Sequence, residues 1–224
     1  MGTRTTVTID DGIAQITLDD GKVNALSTEL IDEINEALDQ AESAQAVAVL
    51  TGREGIFSAG FDLKTMQRSA EAGSAMVAAG ARLVVRLLSF PYPVLTACTG
   101  HAYPAGAFLM LAADRRLGIS GPWKIGLNEV AIGLTVPRFA IEIARHRLTA
   151  QGLTQVNSGY MSSPEEALRH GFLDRVVAAG ELAAAVAEEA QRLRALDMPS
   201  FAATKARINE RAIAALEAAI AQDY

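Results

Sequence analysis

Residues Thr5–Asp10 and Ile13–Leu18 alternate between apolar and polar positions with a period of two, as half-buried strands do. Asp10-Asp11-Gly12 between them is a hairpin turn signal. Ser27 is a suitable N-cap, and Leu30, Ile31, Ile34, Ala37 and Leu38 follow it at helical spacing. Ala46–Thr51 is an apolar run of strand length closed by Gly52. The Ala-rich stretch Thr65–Ser89, with Met76, Leu83, Val84, Leu87 and Leu88, predicts a helix that Pro91 and Pro93 end. Pro93–Thr99 and Arg115–Ile119 predict two more strands, with a helix through Leu109–Ala113 between them. Strand, turn and helix therefore alternate, which predicts an α/β fold.

After Val177 the pattern changes. Glu181–Leu196 and Phe201–Gln222 predict two helices, and nothing there has the period of a strand. The chain divides on this basis into a core, residues 1–177, and a helical region, residues 178–224. The second part is too short to bury a secure core alone, so it should pack on the first part or on another subunit.

Composition narrows the partners. The 224 residues are 50% hydrophobic and 21% charged, ordinary for a globular protein. A net charge of −6 offers no basic surplus to neutralise nucleic-acid phosphates. No apolar run approaches the ~20 residues that span a membrane, and no targeting segment is recognisable, so neither nucleic acid nor membrane is an expected partner. The single cysteine, Cys98, cannot form an intrachain disulfide, which suits a cytoplasmic location. Its apolar run argues for burial over a nucleophilic role. His101, His146 and His170 are scattered at spacings that match no metal site. Arg145, His146 and Arg147 read as a solvated basic face, and Trp123 as an anchor for the loop after it.

Candidate chemistry lies in two small-residue turns and one carboxylate. The turns are Phe57-Ser58-Ala59-Gly60-Phe61-Asp62-Leu63 and Gly100–Phe108; each joins a strand-like run to a helix-like one. Turns lined by Ala and Gly let a ligand carbonyl approach backbone N–H groups, which can then grip a developing oxyanion. Glu129 follows in an apolar setting of Ile125, Leu127, Val130, Ile132 and Leu134, which shields a carboxylate and suits it to proton transfer.

These residues resemble the crotonase family, also called the enoyl-CoA hydratase/isomerase family. The likeness rests on five segments in the family's order: Asn24-Ala25-Leu26, Phe57–Leu63, Gly100 to the terminal Asp114, Ile125–Gly133 and Glu165–Val177. It implies a spiral of ββα units with a helical C-terminal region that builds trimers or dimers of trimers. It also implies an acyl-CoA thioester substrate and no metal or redox cofactor, coenzyme A being part of the substrate.

The resemblance places the oxyanion donors at the N–H groups of Ala59 and Ala105, with Gly106 as the alternative to Ala105. Pro104 has no N–H to offer. Of the two glutamates used by the family's hydratases, one falls on Phe108, and the other is Glu129. A phenyl ring cannot activate water, whereas one carboxylate suffices to shift a double bond. Ile125-Gly126-Leu127-Asn128-Glu129 resembles the corresponding string of 3,2-trans-enoyl-CoA isomerases. The expected activity is conversion of 3-enoyl-CoA to 2-trans-enoyl-CoA. A one-glutamate hydratase and a non-catalytic acyl-CoA binder remain the alternatives. Phe61, Phe108 and Leu134 are the expected pocket walls, and Lys22, Ala25, Lys64 and Lys205 the expected contacts for coenzyme A. Asp62 reads as a brace of the first turn.

Overall fold

The computed structural model describes residues 3–224. Strands β1 (Thr5–Asp10) and β2 (Ile13–Leu18) pair antiparallel with Asp10 opposite Ile13. Asp11 and Gly12 between them both have positive φ, 43° and 69°, as a two-residue primed turn requires. The period-two reading of β2 holds: Ala14, Ile16 and Leu18 face inward and are fully buried. Helix α1 (Thr28–Ser43) starts at Ser27, whose hydroxyl accepts the N–H of Leu30, and its five predicted apolar positions are all buried.

β3 (Val47–Thr51), β5 (Val94–Cys98), β7 (Arg115–Ile119) and β8 (Arg175–Val177) extend the sheet in parallel, giving the order β1-β2-β3-β5-β7-β8. β3 and β5 read as continuous apolar runs because both their faces are covered. A second, two-stranded parallel sheet pairs β4 (Gly55–Ser58) with β6 (Gly100–Ala102). The repeated order strand, strand, helix is the ββα spiral expected of the fold.

The single helix predicted over Thr65–Ser89 is two, α2 (Leu63–Arg68) and α3 (Ala70–Ser89). Ser69 between them is extended, and its hydroxyl caps the second helix by accepting the N–H of Ala72 at 3.0 Å. By length and composition alone α3 is apolar enough to cross a membrane, contrary to the reading of the sequence. Its hydrophobic side instead packs against α2, α4 (Pro104–Ala112) and α9 (Met198–Asp223). α4 is buried from Ala105 to Ala112.

The helices α5 (Arg138–Arg147), α6 (Ala150–Ser158) and α7 (Pro164–His170) follow the loop that carries Glu129. Of the residues beyond 177, α8 (Leu182–Arg194) covers one face of the large sheet, over Val47, Val49, Leu95, Ala97, Leu117 and Ile119. α9 lies against α3 and α5. Both helices thus bury their apolar sides on their own chain.

Candidate active site

The first turn is built by pairing with the segment Asn24-Ala25-Leu26. Asn24 takes a left-handed backbone (φ 51°), and its amide nitrogen donates to the carbonyls of Leu18 (2.8 Å) and Phe57 (3.2 Å). The Ser58 hydroxyl donates to the Asn24 carbonyl at 2.7 Å. Leu26 then bridges Phe61 as two parallel strands would: Leu26 N–H donates to the Gly60 carbonyl (2.8 Å), and Asp62 N–H donates to the Leu26 carbonyl (3.1 Å).

This pairing decides which amide of the turn is free. Ala59 N–H donates to the Val23 carbonyl at 2.9 Å and Gly60 N–H to the Ser58 hydroxyl at 3.3 Å. Ala59, expected as an oxyanion donor, is therefore already committed. In a parallel bridge the groups flanking the bridging residue face the partner and its own N–H points away. That N–H belongs to Phe61, and it has no acceptor among the described residues. The signal that could have shown this is the nearby Asn24–Leu26 segment, whose role as a pairing strand the sequence did not reveal.

The second turn is stitched to the first. Tyr103 N–H donates to the Ser58 carbonyl at 2.9 Å, just as β6 ends and α4 begins. Ala105 and Gly106 occupy the first turn of α4, where N–H groups lack helical acceptors; neither has one among the described residues. A Cβ built on Gly60 (φ 99°) would lie 3.9 Å from the Ala105 nitrogen, so the two turns face each other closely. Gly106 is tighter still: a Cβ there would stand 2.8 Å from the Ser58 Cβ and 3.1 Å from its carbonyl oxygen. A small residue is a steric requirement at Gly106, whereas at Gly60 it is the positive φ that favours glycine.

The loop carrying Glu129 is aligned by the same neighbours. Ile125 bridges both Ala102 and Ser162, exchanging hydrogen bonds with Ser162 at 2.9 and 3.0 Å. Glu129 then opens a short 3-10 turn, Val130–Ile132, and its carbonyl accepts the N–H groups of Ile132 and Leu134. Its carboxylate is buried, and Oε2 has no partner among the described residues. Burial pushes the carboxyl up to about 7. A group so placed exchanges protons near neutral pH.

Glu129, Gly60, Phe61, Pro104 and Phe108 all line one cavity of about 500 Å³, and Glu129 is the sole carboxylate among its lining residues. The three expected walls, Phe61, Phe108 and Leu134, are all there. The Phe108 ring is buried, edge-on to Phe139 with centroids 5.3 Å apart, and 6.5 Å from the Phe61 ring. Leu63, Met66, Val77 and Pro137 extend the apolar wall, while Asn128, Tyr103, Thr135 and Tyr224 add polar edges. The reading of the sequence missed Tyr224, Met66 and Val77, because only the packing of α2, α3 and α9 brings them to the cavity.

The lysines separate. Lys22 and Lys64 are exposed beside the first turn and take part in no ion pair among the described residues. Ala25 is half-buried, its N–H on Asp20 Oδ2 at 3.3 Å. Lys205 does not fit its expected role. It is 5% exposed, its Nζ is 2.6 Å from Asp114 Oδ2, and it cannot also reach a ligand in solvent. The basic face also dissolves on folding. Arg147 donates from Nε to the Leu111 carbonyl (2.7 Å) and from its terminal nitrogen to that of Ala113; His146 bonds Asn209 at 2.9 Å; Arg145 alone stays exposed. Asp62 does brace the first turn: its carboxylate accepts the N–H of Thr65 at 2.9 Å at the start of α2. Trp123 packs edge-on to His101, whose Nδ1 accepts the Lys124 N–H. His170 bonds Ser162, and Cys98 is buried with its thiol pushed up to about 12 by desolvation.

Comparison with known proteins agrees with this geometry. A family model described as enoyl-CoA hydratase/isomerase matches residues 8–224. A probable enoyl-CoA hydratase of Bacillus subtilis is 33% identical over 171 residues, 74% of this chain; the match spans 66% of that relative, just under two thirds of its length. Among solved structures, an enoyl-CoA hydratase/isomerase family protein from Pseudomonas syringae superposes with a TM-score of 0.97 at 45% identity, covering 98% of this chain and 96% of that one. A Mycobacterium tuberculosis protein, called an enoyl-CoA isomerase in one solved structure and a probable enoyl-CoA hydratase in another, does so with TM-scores of 0.93 and 0.94 at 38% identity, covering 97% of this chain and 96% and 93% of those. With the family model matching almost from end to end, the chain belongs to the enoyl-CoA hydratase/isomerase family.

Proposed function

We propose that the chain shifts the double bond of 3-enoyl-CoA to give 2-trans-enoyl-CoA. The observation that carries this reading is the isolation of Glu129: it is the one carboxylic side chain lining the cavity, and Phe108, which the resemblance aligns with a second glutamate, contributes an aromatic ring to the wall. A human mitochondrial delta3-delta2-enoyl-CoA isomerase, 25% identical with a TM-score of 0.90, shares the fold and is compatible with it.

The Glu129 carboxylate takes a proton from C2 of the 3-enoyl thioester. The C2–H electron pair moves into a dienolate whose charge rests on the thioester oxygen. Phe61 N–H and Ala105 N–H hold that oxygen; Gly106 N–H is the neighbouring alternative. Glu129 then returns the same proton to C4, the double bond settles between C2 and C3, and the carboxylate is restored. No atom is gained or lost. Losing one such donor costs on the order of 2.7–4 kcal/mol of transition-state stabilisation in comparable sites. Lys22, Ala25 and Lys64, near the first turn in sequence or by pairing, are the proposed contacts of coenzyme A. Assembly into a trimer, or a dimer of trimers, accompanies this reading.

Purified protein should isomerise 3-enoyl-CoA while hydrating 2-enoyl-CoA at least a hundredfold more slowly. Each is measured with its own substrate by absorbance of the conjugated thioester. Fast hydration of crotonyl-CoA would overturn the isomerase reading in favour of a one-glutamate hydratase, the activity ascribed to the B. subtilis relative. Binding of acyl-CoA with neither reaction would leave only a binder.

Gly106→Ala tests the paired turns. The added methyl meets Ser58 side chain and backbone, so the turns must part by a fraction of an ångström. Turnover should fall roughly ten- to a hundredfold, since displacements of this order misalign reacting groups. Unchanged kcat would show that the spacing of the turns does not matter to the reaction.

A further inference from the structure

We propose that Tyr224 sets the acyl-chain length this protein accepts, by standing as a partition between the catalytic cavity and a second cavity beyond it. Tyr224 follows the last turn of α9, with its N–H on the Ile220 carbonyl at 3.0 Å. Its side chain lines the catalytic cavity of about 500 Å³, and it also lines a cavity of about 390 Å³ formed with Arg82, Val85, Glu217, Ile220 and Ala221. No other lining residue is shared by the two.

Helix α3 runs past both spaces. Gly73, Ser74 and Val77 wall the first, and Arg82 and Val85 wall the second. At 1.5 Å per residue, the step from Val77 to Arg82 is about 7.5 Å along the helix axis. The second cavity therefore lies further along α3 than the first, and Tyr224 is the lining residue common to both. The wall on the near side is apolar, with Met66, Val77 and Pro137, and suits an alkyl tail.

The partition is held in place. Asp223 accepts the Arg138 backbone N–H at 2.9 Å and pairs with the Arg138 guanidinium, which ties the end of α9 to the start of α5 beside Pro137. Tyr224 keeps 43% of its surface exposed, and the burial of the remainder, with the Asp223 charge adding to it, pushes its phenol up to about 12, so the ring remains uncharged. A different neighbouring cavity, of about 520 Å³, shares Leu134 and Thr135 with the catalytic one. A tail that entered that cavity instead would respond to Leu134 and not to Tyr224, which the variants below distinguish.

The inference rests on the acyl-CoA part of the proposed function and not on isomerisation. Its test accordingly uses saturated acyl-CoAs of increasing length, from butyryl-CoA upward, titrated calorimetrically into the whole protein. In the wild type, affinity should rise about fourfold per added methylene while the tail gains apolar wall, then stop rising at one length. Tyr224→Ala should move that break to longer chains and strengthen binding of the longest by tenfold or more. Tyr224→Phe should leave the break where it was, and Tyr224→Trp should move it to shorter chains. An unmoved break in Tyr224→Ala, or a break that moves in Leu134→Ala instead, overturns the proposal. Absence of binding by any acyl-CoA would overturn it together with the acyl-CoA reading, whereas a failed isomerase assay alone would not touch it.

Discussion

Glu129→Gln should lower kcat/KM for 3-enoyl-CoA by roughly a thousand- to ten-thousandfold and at the same time raise the melting temperature above pH 7. The kinetic loss follows from removing the only carboxylate in the cavity, at the upper end of what a positioned acid/base contributes. The gain in stability follows from the same burial. The folded carboxyl titrates at about 7, against 4.5 for the unfolded chain. Between those values the folded protein still holds a proton that the unfolded chain has released, so stability falls as pH rises through the window and is level above it. The gap corresponds to about 3 kcal/mol at most. Glutamine is neutral throughout and escapes this cost, so at pH 8 the variant should melt some 6–12 °C higher. The difference should vanish at pH 4, where both side chains are uncharged. Wild-type kcat/KM should fall about tenfold per pH unit below 7, as the base is protonated. A variant that keeps a tenth of the activity, or that melts no higher than wild type at pH 8, would remove Glu129 from this role.

Asp114→Ala should cost about 3–5 kcal/mol, the penalty for stranding a buried charge. Asp114 Oδ2 accepts both Lys205 Nζ at 2.6 Å and the Val94 N–H at 2.8 Å, at the junction of α4, β5 and α9. Without the carboxylate, Lys205 is left at 5% exposure, where burial already holds its pKa below the usual lysine range. The melting temperature should drop by about 6–20 °C. The double variant Asp114→Leu with Lys205→Met replaces the pair with apolar groups and should recover most of that loss, leaving chiefly the orphaned Val94 N–H. A shift below 2 °C in the single variant, read by calorimetry, would show the pair to be incidental.

How much of this was legible in the sequence depends on how local the cause was. The hairpin at Asp11-Gly12 and the cap at Ser27 are decided by residues a few positions apart, and both form as the pattern predicts. The strands β3 and β5 are equally plain, because burial on both faces leaves a continuous apolar run. Glu129 was visible as a lone acid in apolar surroundings, and its burial agrees. Ala59 was expected to offer a free N–H and does not, since the acceptor that takes it, the Val23 carbonyl, lies on a separate segment. Lys205 looks like any helix-surface cation until Asp114, from the far end of α4, is packed against it. Tyr224 carries no motif at all. Only the course of α9 alongside α3 and α5 brings its ring to the cavity.

Phe61 joins two tasks that point in opposite directions: its ring walls the cavity, and its N–H is the unclaimed amide of the first turn. An amide hydrogen belongs to every residue but proline, so side-chain replacement at position 61 cannot delete it. Under the proposed function, substrate preference and charge stabilisation would therefore be separately adjustable at a single position. Leucine or alanine there would reshape the space for the acyl group while leaving the electrostatic trap in place. Only proline, or a backbone ester introduced by synthesis, would remove the trap itself. Variation at this residue can thus explore new thioesters without first surrendering the means to activate them.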